Sequence, residues 1–174
     1  VYVCQQDCIC KGYYCCFAVV TIQVHGNVHN FKIANVYGRI GYSGNGGQNA
    51  FLSFSSNVSA DNRSLIPTNG HIANLTTIGA SSGYGTVQTQ AAENVLFENL
   101  DGEGGITLRL ETGGNLPGAY VNNITARNII CRNGTAAMMS QPHAQQNGVF
   151  HVYNLTSYGC WFTQRLEAGY SQHG

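Results

Sequence analysis

The residues best suited to chemistry lie in the run Leu108-Arg109-Leu110-Glu111. Alternation with a period of two places both leucines on the inner face of a strand. It places Arg109 and Glu111 on the outer face, which we expect to meet solvent. A carboxyl group held in such a setting can act as a proton donor. The alternative is a surface Glu–Arg ion pair, which contributes little to stability.

The segments that would position this strand repeat along the chain. In each copy an alternating run ends at an asparagine followed by an aliphatic residue, and the anchors are Asn35, Asn74, Asn99, Asn128 and Asn154. A second alternating run follows each anchor. A unit of about 25 residues with two or three short strands is too small to bury its own apolar face. Successive units must therefore stack.

This pattern predicts an all-β fold, a right-handed parallel β-helix of about five turns. Asparagine suits the corners because it tolerates the left-handed backbone region, and its amide can bond locally or to the asparagine of the next turn. The longer interval between Asn35 and Asn74 predicts a loop formed by residues 57–67. We attribute six Asn-x-Ser/Thr triplets to this composition rather than to glycosylation; they begin at Asn57, Asn62, Asn74, Asn123, Asn133 and Asn154.

Stacked strands would gather polar side chains from successive turns on one outer face. The alignment assumes that three turn glycines are equivalent, namely Gly105, Gly134 and Gly159. It predicts that one column contains Glu111, Ser140 and Arg165. The whole predicted patch consists of Gln88, Gln90, Arg109, Glu111, Gln141, His143 and Arg165. His143 follows a proline, so a hydrogen-bonded turn residue is the alternative to a functional histidine.

Composition restricts the partners. The 174 residues include eight basic and eight acidic side chains, so the formal charge is zero. A zero balance gives no electrostatic footprint for nucleic acid or an acidic membrane. No apolar run reaches the roughly 18 residues that a membrane-spanning helix needs. We therefore expect a monomer that binds neither nucleic acid nor a membrane.

The seven cysteines distinguish the beginning of the chain from the rest. Five fall within residues 4–16 at spacings that match no zinc site, so we expect no metal and no required cofactor. Residues 1–20 form a Cys-rich segment of unclear status, and residues 21–174 form part of one β-helix domain. Cys131 and Cys160 are isolated in the sequence. The chain begins at Val1 without a signal peptide, which favours a fragment.

Two stretches resemble one family of enzymes. Residues 85–112, with the element Leu-Arg-Leu-Glu-Thr, look like the catalytic turn region of iota-carrageenases. Met138-Met-Ser-Gln-Pro-His143 and residues 146–148 and 154–160 resemble the family's His-bearing turn. The resemblance covers roughly residues 70–165. It implies a secreted glycoside hydrolase that cuts β-1,4 linkages of sulfated red-algal galactans with inversion, and it is compatible with a bound inorganic ion.

Carried over by position, the resemblance gives the patch specific roles. Glu111 becomes the general acid, Gln88 an amide that holds water or an anion, and His143 a group that positions substrate or water. The remaining residues would contact the sulfated polysaccharide, since a guanidinium fork suits sulfate; they are Arg109, Gln90, Arg165 and Gln141.

One position departs from the family pattern. The family's general base is an Asp two residues after the acid, and this chain has Gly113 there. Carboxylates at i and i+2 would stand ~6.6 Å apart, within the ~6.5–9.5 Å that an inverting mechanism uses. Three possibilities remain. A different group such as His143 activates the water; a carboxylate elsewhere, such as Glu103, Asp101 or one in a missing part of the chain, reaches in; or the protein binds glycan without cutting it. A polysaccharide lyase on the same fold is a further alternative, although no Asp cluster accompanies Arg109 or Arg165.

Overall fold

The computed structural model describes residues 20–40, 50–55, 66–79, 85–111, 121–141 and 149–166. They form eleven strands: β1 (Val20–His25), β2 (Lys32–Arg39), β3 (Ala50–Ser55), β4 (Thr68–Ile78), β5 (Val87–Thr89), β6 (Ala92–Glu103), β7 (Ile106–Glu111), β8 (Val121–Arg132), β9 (Ala136–Gln141), β10 (Phe150–Tyr158) and β11 (Phe162–Leu166). No helix within these ranges is long and apolar enough to cross a membrane.

The strands form two sheets, and all pairings are parallel. The odd-numbered strands make a six-stranded sheet in the order β1-β3-β5-β7-β9-β11. The even-numbered strands make a five-stranded sheet in the order β10-β8-β6-β4-β2. Because the chain passes from one sheet to the other and back in every turn, the coil is a parallel β-helix. The predicted all-β fold, a parallel β-helix, is confirmed.

The anchor asparagines form a ladder along one corner. In the described residues, every non-glycine residue with positive φ is an asparagine, and Asn99 has φ 56°. Each side-chain amide donates to the carbonyl oxygen of the asparagine one turn earlier, at 2.8 Å for Asn74 to Asn35, 2.9 Å for Asn99 to Asn74, 2.8 Å for Asn128 to Asn99 and 3.0 Å for Asn154 to Asn128. Both parts of the corner prediction, the left-handed backbone and the bond to the next turn, are confirmed.

A second asparagine ladder follows another corner and was not predicted. Asn123 donates to Asn94 at 2.6 Å, and Asn94 donates to Asn69 at 3.1 Å. Asn74, Asn123 and Asn154 each begin an Asn-x-Thr triplet, and their amide nitrogens are already engaged in the two ladders. This supports the interpretation of those three triplets as corner residues.

One apolar core fills the space between the sheets. The five-stranded sheet contributes inward columns such as Ile72–Phe97–Ala126, and the six-stranded sheet contributes Leu52–Val87–Leu108–Met138. The rings of Phe54 and Phe97 meet edge to face between the two sheets, with centroids 5.7 Å apart. The core therefore ties both sheets into one unit.

Buried hydroxyl groups occupy the corner that leads from the five-stranded sheet to the six-stranded sheet. Thr77 and Thr86 share a hydrogen bond of 2.6 Å between their Oγ1 atoms, and Thr107 Oγ1 donates to the carbonyl oxygen of Ile130 at 2.8 Å. A Cβ atom at Gly102 would lie 2.3 Å from Thr86 Oγ1 and 2.6 Å from Thr107 Oγ1. The corner thus requires a residue without a side chain at position 102.

Parts of the predicted organisation lie outside the described residues. Residues 1–19 hold the five clustered cysteines, and residues 56–65 hold most of the predicted loop. The division at residues 20 and 21 therefore stays a prediction.

Candidate active site

Strands β5, β7 and β9 lie side by side in the six-stranded sheet and carry most of the predicted patch. In the register of these strands, Gln88 pairs with Arg109, and Arg109 pairs with Met139. Their chain neighbours Val87 and Leu108 belong to the apolar core. The column of Gln88 and Arg109 therefore faces away from the core.

This outward column is covered. Arg109 is only 9% exposed and Gln88 only 6% exposed, so the expectation that Arg109 meets solvent is wrong. Ile106, Ala136 and Met139 form a second buried apolar cluster, separate from the main core. Period-two alternation fixes the face on which a side chain lies, but it does not reveal what covers that face. At such burial the guanidinium acts in a medium of lower effective dielectric than water, which strengthens its pull on an anion.

Glu111 ends β7, and its partner on β9 is Gln141. The predicted column of Glu111, Ser140 and Arg165 is wrong, because Ser140 pairs with Leu110 and Arg165 pairs with Met139. For Ser140 the physical reason is one extra residue in the later turn. The backbone amides of Thr135 and Ala136 both reach the carbonyl oxygen of Gly105, at 2.6 Å and 3.4 Å. The strand that follows is therefore shifted by one position relative to β7. Arg165 is displaced by a second position, because β11 pairs with β9 as Phe162 with Ala136, one residue away from the register that Gly134 and Gly159 predicted.

The other predicted site residues lie on or near the same strands. Gln90 directly follows β5, is partly buried, and donates its backbone N–H to Phe54 O at 2.9 Å. Arg165 lies on β11, beyond β9. His143 and Gly113 lie outside the described residues. The structure therefore brings Gln88, Arg109, Glu111 and Gln141 onto three neighbouring strands, with Arg165 one strand further along.

Asp101 and Glu103 are remote from this site, which contradicts the hypothesis that either carboxylate supplies the general base. Both lie on β6 in the five-stranded sheet, and Asp101 Oδ1 forms an ion pair with Arg132 Nη2 at 3.0 Å. β7 begins at Ile106, close in the chain to Glu103, and ends at Glu111. The five residues between its two ends correspond to a distance of ~16 Å along the strand. These carboxylates are at the opposite end of β7, on another wall of the coil.

A charged cluster on the five-stranded sheet escaped the sequence analysis. Glu98 accepts bonds from His71 Nε2 at 3.1 Å and Arg127 Nη2 at 2.7 Å. The hydrogen bond from His71, followed by the charge and hydrogen bond of Arg127, outweighs desolvation and lowers the pKa of Glu98. The sequence does contain a signal for this cluster, namely its position in the repeat. Glu98 and Arg127 each immediately precede an anchor asparagine. Residues at the same place in the repeat are stacked by the coil.

The described residues offer no evident metal centre. Within these ranges, no three His, Cys, Asp or Glu side chains lie close enough together to hold an ion. The chemistry that the described part of the patch can support is proton transfer by a carboxyl group and binding of an anion by amides and a guanidinium.

Comparison with known proteins gave consistent results. The chain is 37% identical over 150 residues to an iota-carrageenase of Alteromonas macleodii, and 34% identical over 149 residues to an iota-carrageenase of Zobellia galactanivorans. Each match covers 83% of this chain and 29% of the relative, so the chain spans less than a third of the length of these curated relatives. No family model matches.

Solved structures agree with these sequence matches. A family GH82 iota-carrageenase from A. fortis, solved in the absence of chloride ions, superposes with a TM-score of 0.65 and 30% identity, covering 86% of this chain and 39% of the other. An iota-carrageenase complexed to iota-carrageenan fragments gives a TM-score of 0.53 and 25% identity, covering 86% and 49%. The resemblance noted in the sequence is confirmed.

Proposed function

The chain is a relative of the iota-carrageenases in sequence and fold, and from that premise we propose that it belongs to a secreted glycoside hydrolase acting on sulfated red-algal galactan. Its substrate is an iota-carrageenan-type chain, and the bonds cut are β-1,4 linkages, with inversion. The observation that carries the proposal is the match to iota-carrageenases over 83% of this chain, a span that includes strands β5, β7 and β9.

Glu111 is the proposed general acid. It stands at the end of β7, two residues beyond Arg109, and its neighbour on β9 is Gln141. In this role its carboxyl group donates a proton to the glycosidic oxygen as the bond to the leaving sugar breaks. Arg109 would contact a sulfate of the polysaccharide beside it, because charge-assisted bonds from a planar fork are strong and directional. Gln88 would hold water or an anion next to Arg109, its partner in the register.

An inverting mechanism also needs a group that activates the attacking water, and this group has to be proposed separately. Gly113 supplies no carboxylate, and Asp101 and Glu103 face outward from the other sheet. His143 follows Gln141 by two residues, and Gln141 pairs with Glu111. We assign His143 the role of the group that positions or activates the attacking water.

Hydrolysis by purified protein tests this assignment. Incubation with iota-carrageenan should release new reducing ends, and Glu111→Gln should lower the rate by about 10²–10⁴-fold, the usual contribution of a general acid. Glu103→Gln is the matched control, since it removes a carboxylate on the other sheet, and it should retain full activity. Equal rates for Glu111→Gln and the unmodified protein would exclude Glu111 as the acid.

A second function is favoured by one residue. Gly113 stands where the family has its base, and a protein without a base can hold a glycan without cutting it. In that case iota-carrageenan binds and no reducing ends appear. Gly113→Asp then provides the decisive comparison, because a carboxylate two residues after Glu111 stands ~6.6 Å from it. Hydrolysis that appears only in Gly113→Asp would establish the binding function for the natural sequence.

A further inference from the structure

Two cysteines that are distant in the sequence meet at one corner of the coil. Cys131 is near the end of β8, and its side chain is fully buried in the main core. Cys160 lies between β10 and β11, one turn later, and packs against the same core while partly exposed. Both are free thiols.

Both sulfur atoms lie against the same residue, Gly134. The backbone N–H of Gly134 donates to Cys160 Sγ at 3.4 Å, and a Cβ atom built on Gly134 would lie 2.8 Å from Cys131 Sγ. Gly134 has no side chain to separate them, so the sulfurs are neighbours across the turn.

We propose that Cys131 and Cys160 are a modification site, where a disulfide bond forms and links two successive turns of the β-helix. The oxidant is a small-molecule disulfide or the active disulfide of an oxidoreductase. Such oxidants operate in the compartments through which secreted proteins pass.

The exchange proceeds in two steps. Cys160 reaches the oxidant first because it is partly exposed; its thiolate attacks one sulfur of the external disulfide, forms a mixed disulfide and releases one thiol. Cys131 then loses its proton, attacks the Cys160 sulfur and releases the second thiol. In sum, the two cysteine thiols lose two protons and two electrons, and the external disulfide is reduced to two thiols.

The surroundings of the two sulfurs favour this order. Burial, then the neighbouring Cys160 thiol, raises the pKa of the Cys131 thiol to about 12. Cys131 is therefore the harder of the two to ionise and to reach, whereas Cys160 is partly exposed to an external oxidant. The second step is then the slow one, and the rate of closure should increase as pH rises above neutrality.

Peptide mapping of the whole chain tests the proposal without reference to enzyme activity. The protein is incubated with oxidised glutathione at about pH 8, labelled with N-ethylmaleimide in denaturant and digested with trypsin without reduction. Cleavage after Arg127, Arg132 and Arg165 places the two cysteines on peptides 128–132 and 133–165. We expect these two peptides to be joined and free of label.

Two results would overturn the proposal. One is full labelling of both peptides after oxidation. The other is a link from either cysteine to one within residues 4–16. The matched variant Cys160→Ser should abolish the joined peptide. Oxidation should also raise the midpoint of thermal unfolding by roughly 5–15 °C in the natural sequence, and this increment should be absent in Cys160→Ser.

Discussion

At the scale of single residues, this coil depends on positions where neighbouring turns come too close for a side chain, or where one side chain serves two partners. Gly102 is of the first kind, because it faces the hydroxyls of Thr86 and Thr107. Glu98 is of the second kind, because it joins His71 on one strand to Arg127 on another. A testable prediction follows for each of these two residues.

Gly102→Ala should destabilise the protein by about 1–3 kcal/mol, the usual cost of overpacking a buried site. The added methyl would fall within 2.6 Å of both threonine hydroxyls, which are fully buried and cannot withdraw easily. Urea unfolding measures the loss. Thr156→Ala, on the partly exposed face of β10, is the control and should change stability by less than about 0.5 kcal/mol. An equally small change in Gly102→Ala would show that the corner is looser than its geometry indicates.

Glu98 should make stability depend on pH in the acid range. Its pKa is lowered in the folded state, so the ionised carboxylate stabilises the fold above its unfolded pKa of about 4.3. That contribution is lost as pH falls through the lower folded value. Thermal unfolding followed between pH 7 and pH 3 should therefore show a drop that is smaller in Glu98→Gln. Parallel curves for the two proteins would contradict the role of this carboxylate.

At the scale of elements, the asparagine ladders explain how strands of up to twelve residues bend without losing their pairing. Each corner needs a left-handed residue, and the amide of that residue bonds to the same residue one turn away. Backbone conformation and side-chain bonding therefore select the same amino acid. A glycine would satisfy the first requirement alone.

Substitutions at Asn99 should separate the two contributions. Asn99→Ala loses the bonds to Asn74 and Asn128 and forces alanine into a left-handed conformation, at a combined cost of about 2–3 kcal/mol. Asn99→Gly keeps the conformation and loses only the bonds, so we expect about 1 kcal/mol. Denaturant midpoints of the two variants provide the test. Equal losses would mean that backbone conformation contributes nothing at this corner.

At the scale of the whole molecule, one core serves both sheets, so neither sheet is expected to unfold by itself. Phe97 on β6 meets Phe54 on β3, and these strands belong to different sheets. A defect at this contact should therefore be felt in every described turn. The neighbouring residue Leu96 points to the outer face and lies outside this core.

Phe97→Ala should cost about 3–5 kcal/mol, and Leu96→Ala, its matched control on the same strand, less than about 1 kcal/mol. Unfolding followed by far-ultraviolet circular dichroism and by tyrosine and tryptophan fluorescence should give one coincident transition in both variants. Two separated transitions in Phe97→Ala would show that the sheets behave as independent units.

The sequence by itself determined the fold class and its corners. Period-two alternation reports which face of a strand is inward, and Asn35, Asn74, Asn99, Asn128 and Asn154 mark where the chain turns. Both are local properties of the backbone, so they can be inferred without knowing which turn stacks on which. The inward assignment of Val87, Leu108 and Leu110 was correct for this reason.

Only the tertiary structure decided register and burial. One extra residue near Thr135 moved Gln141, not Ser140, beside Glu111, because a shift of one position in a turn changes every later pairing. Arg109 is buried although its position in the alternation is outward, since burial depends on what packs over the sheet. The meeting of Cys131 and Cys160 at Gly134 likewise follows from stacking, which brings together residues that the chain keeps far apart.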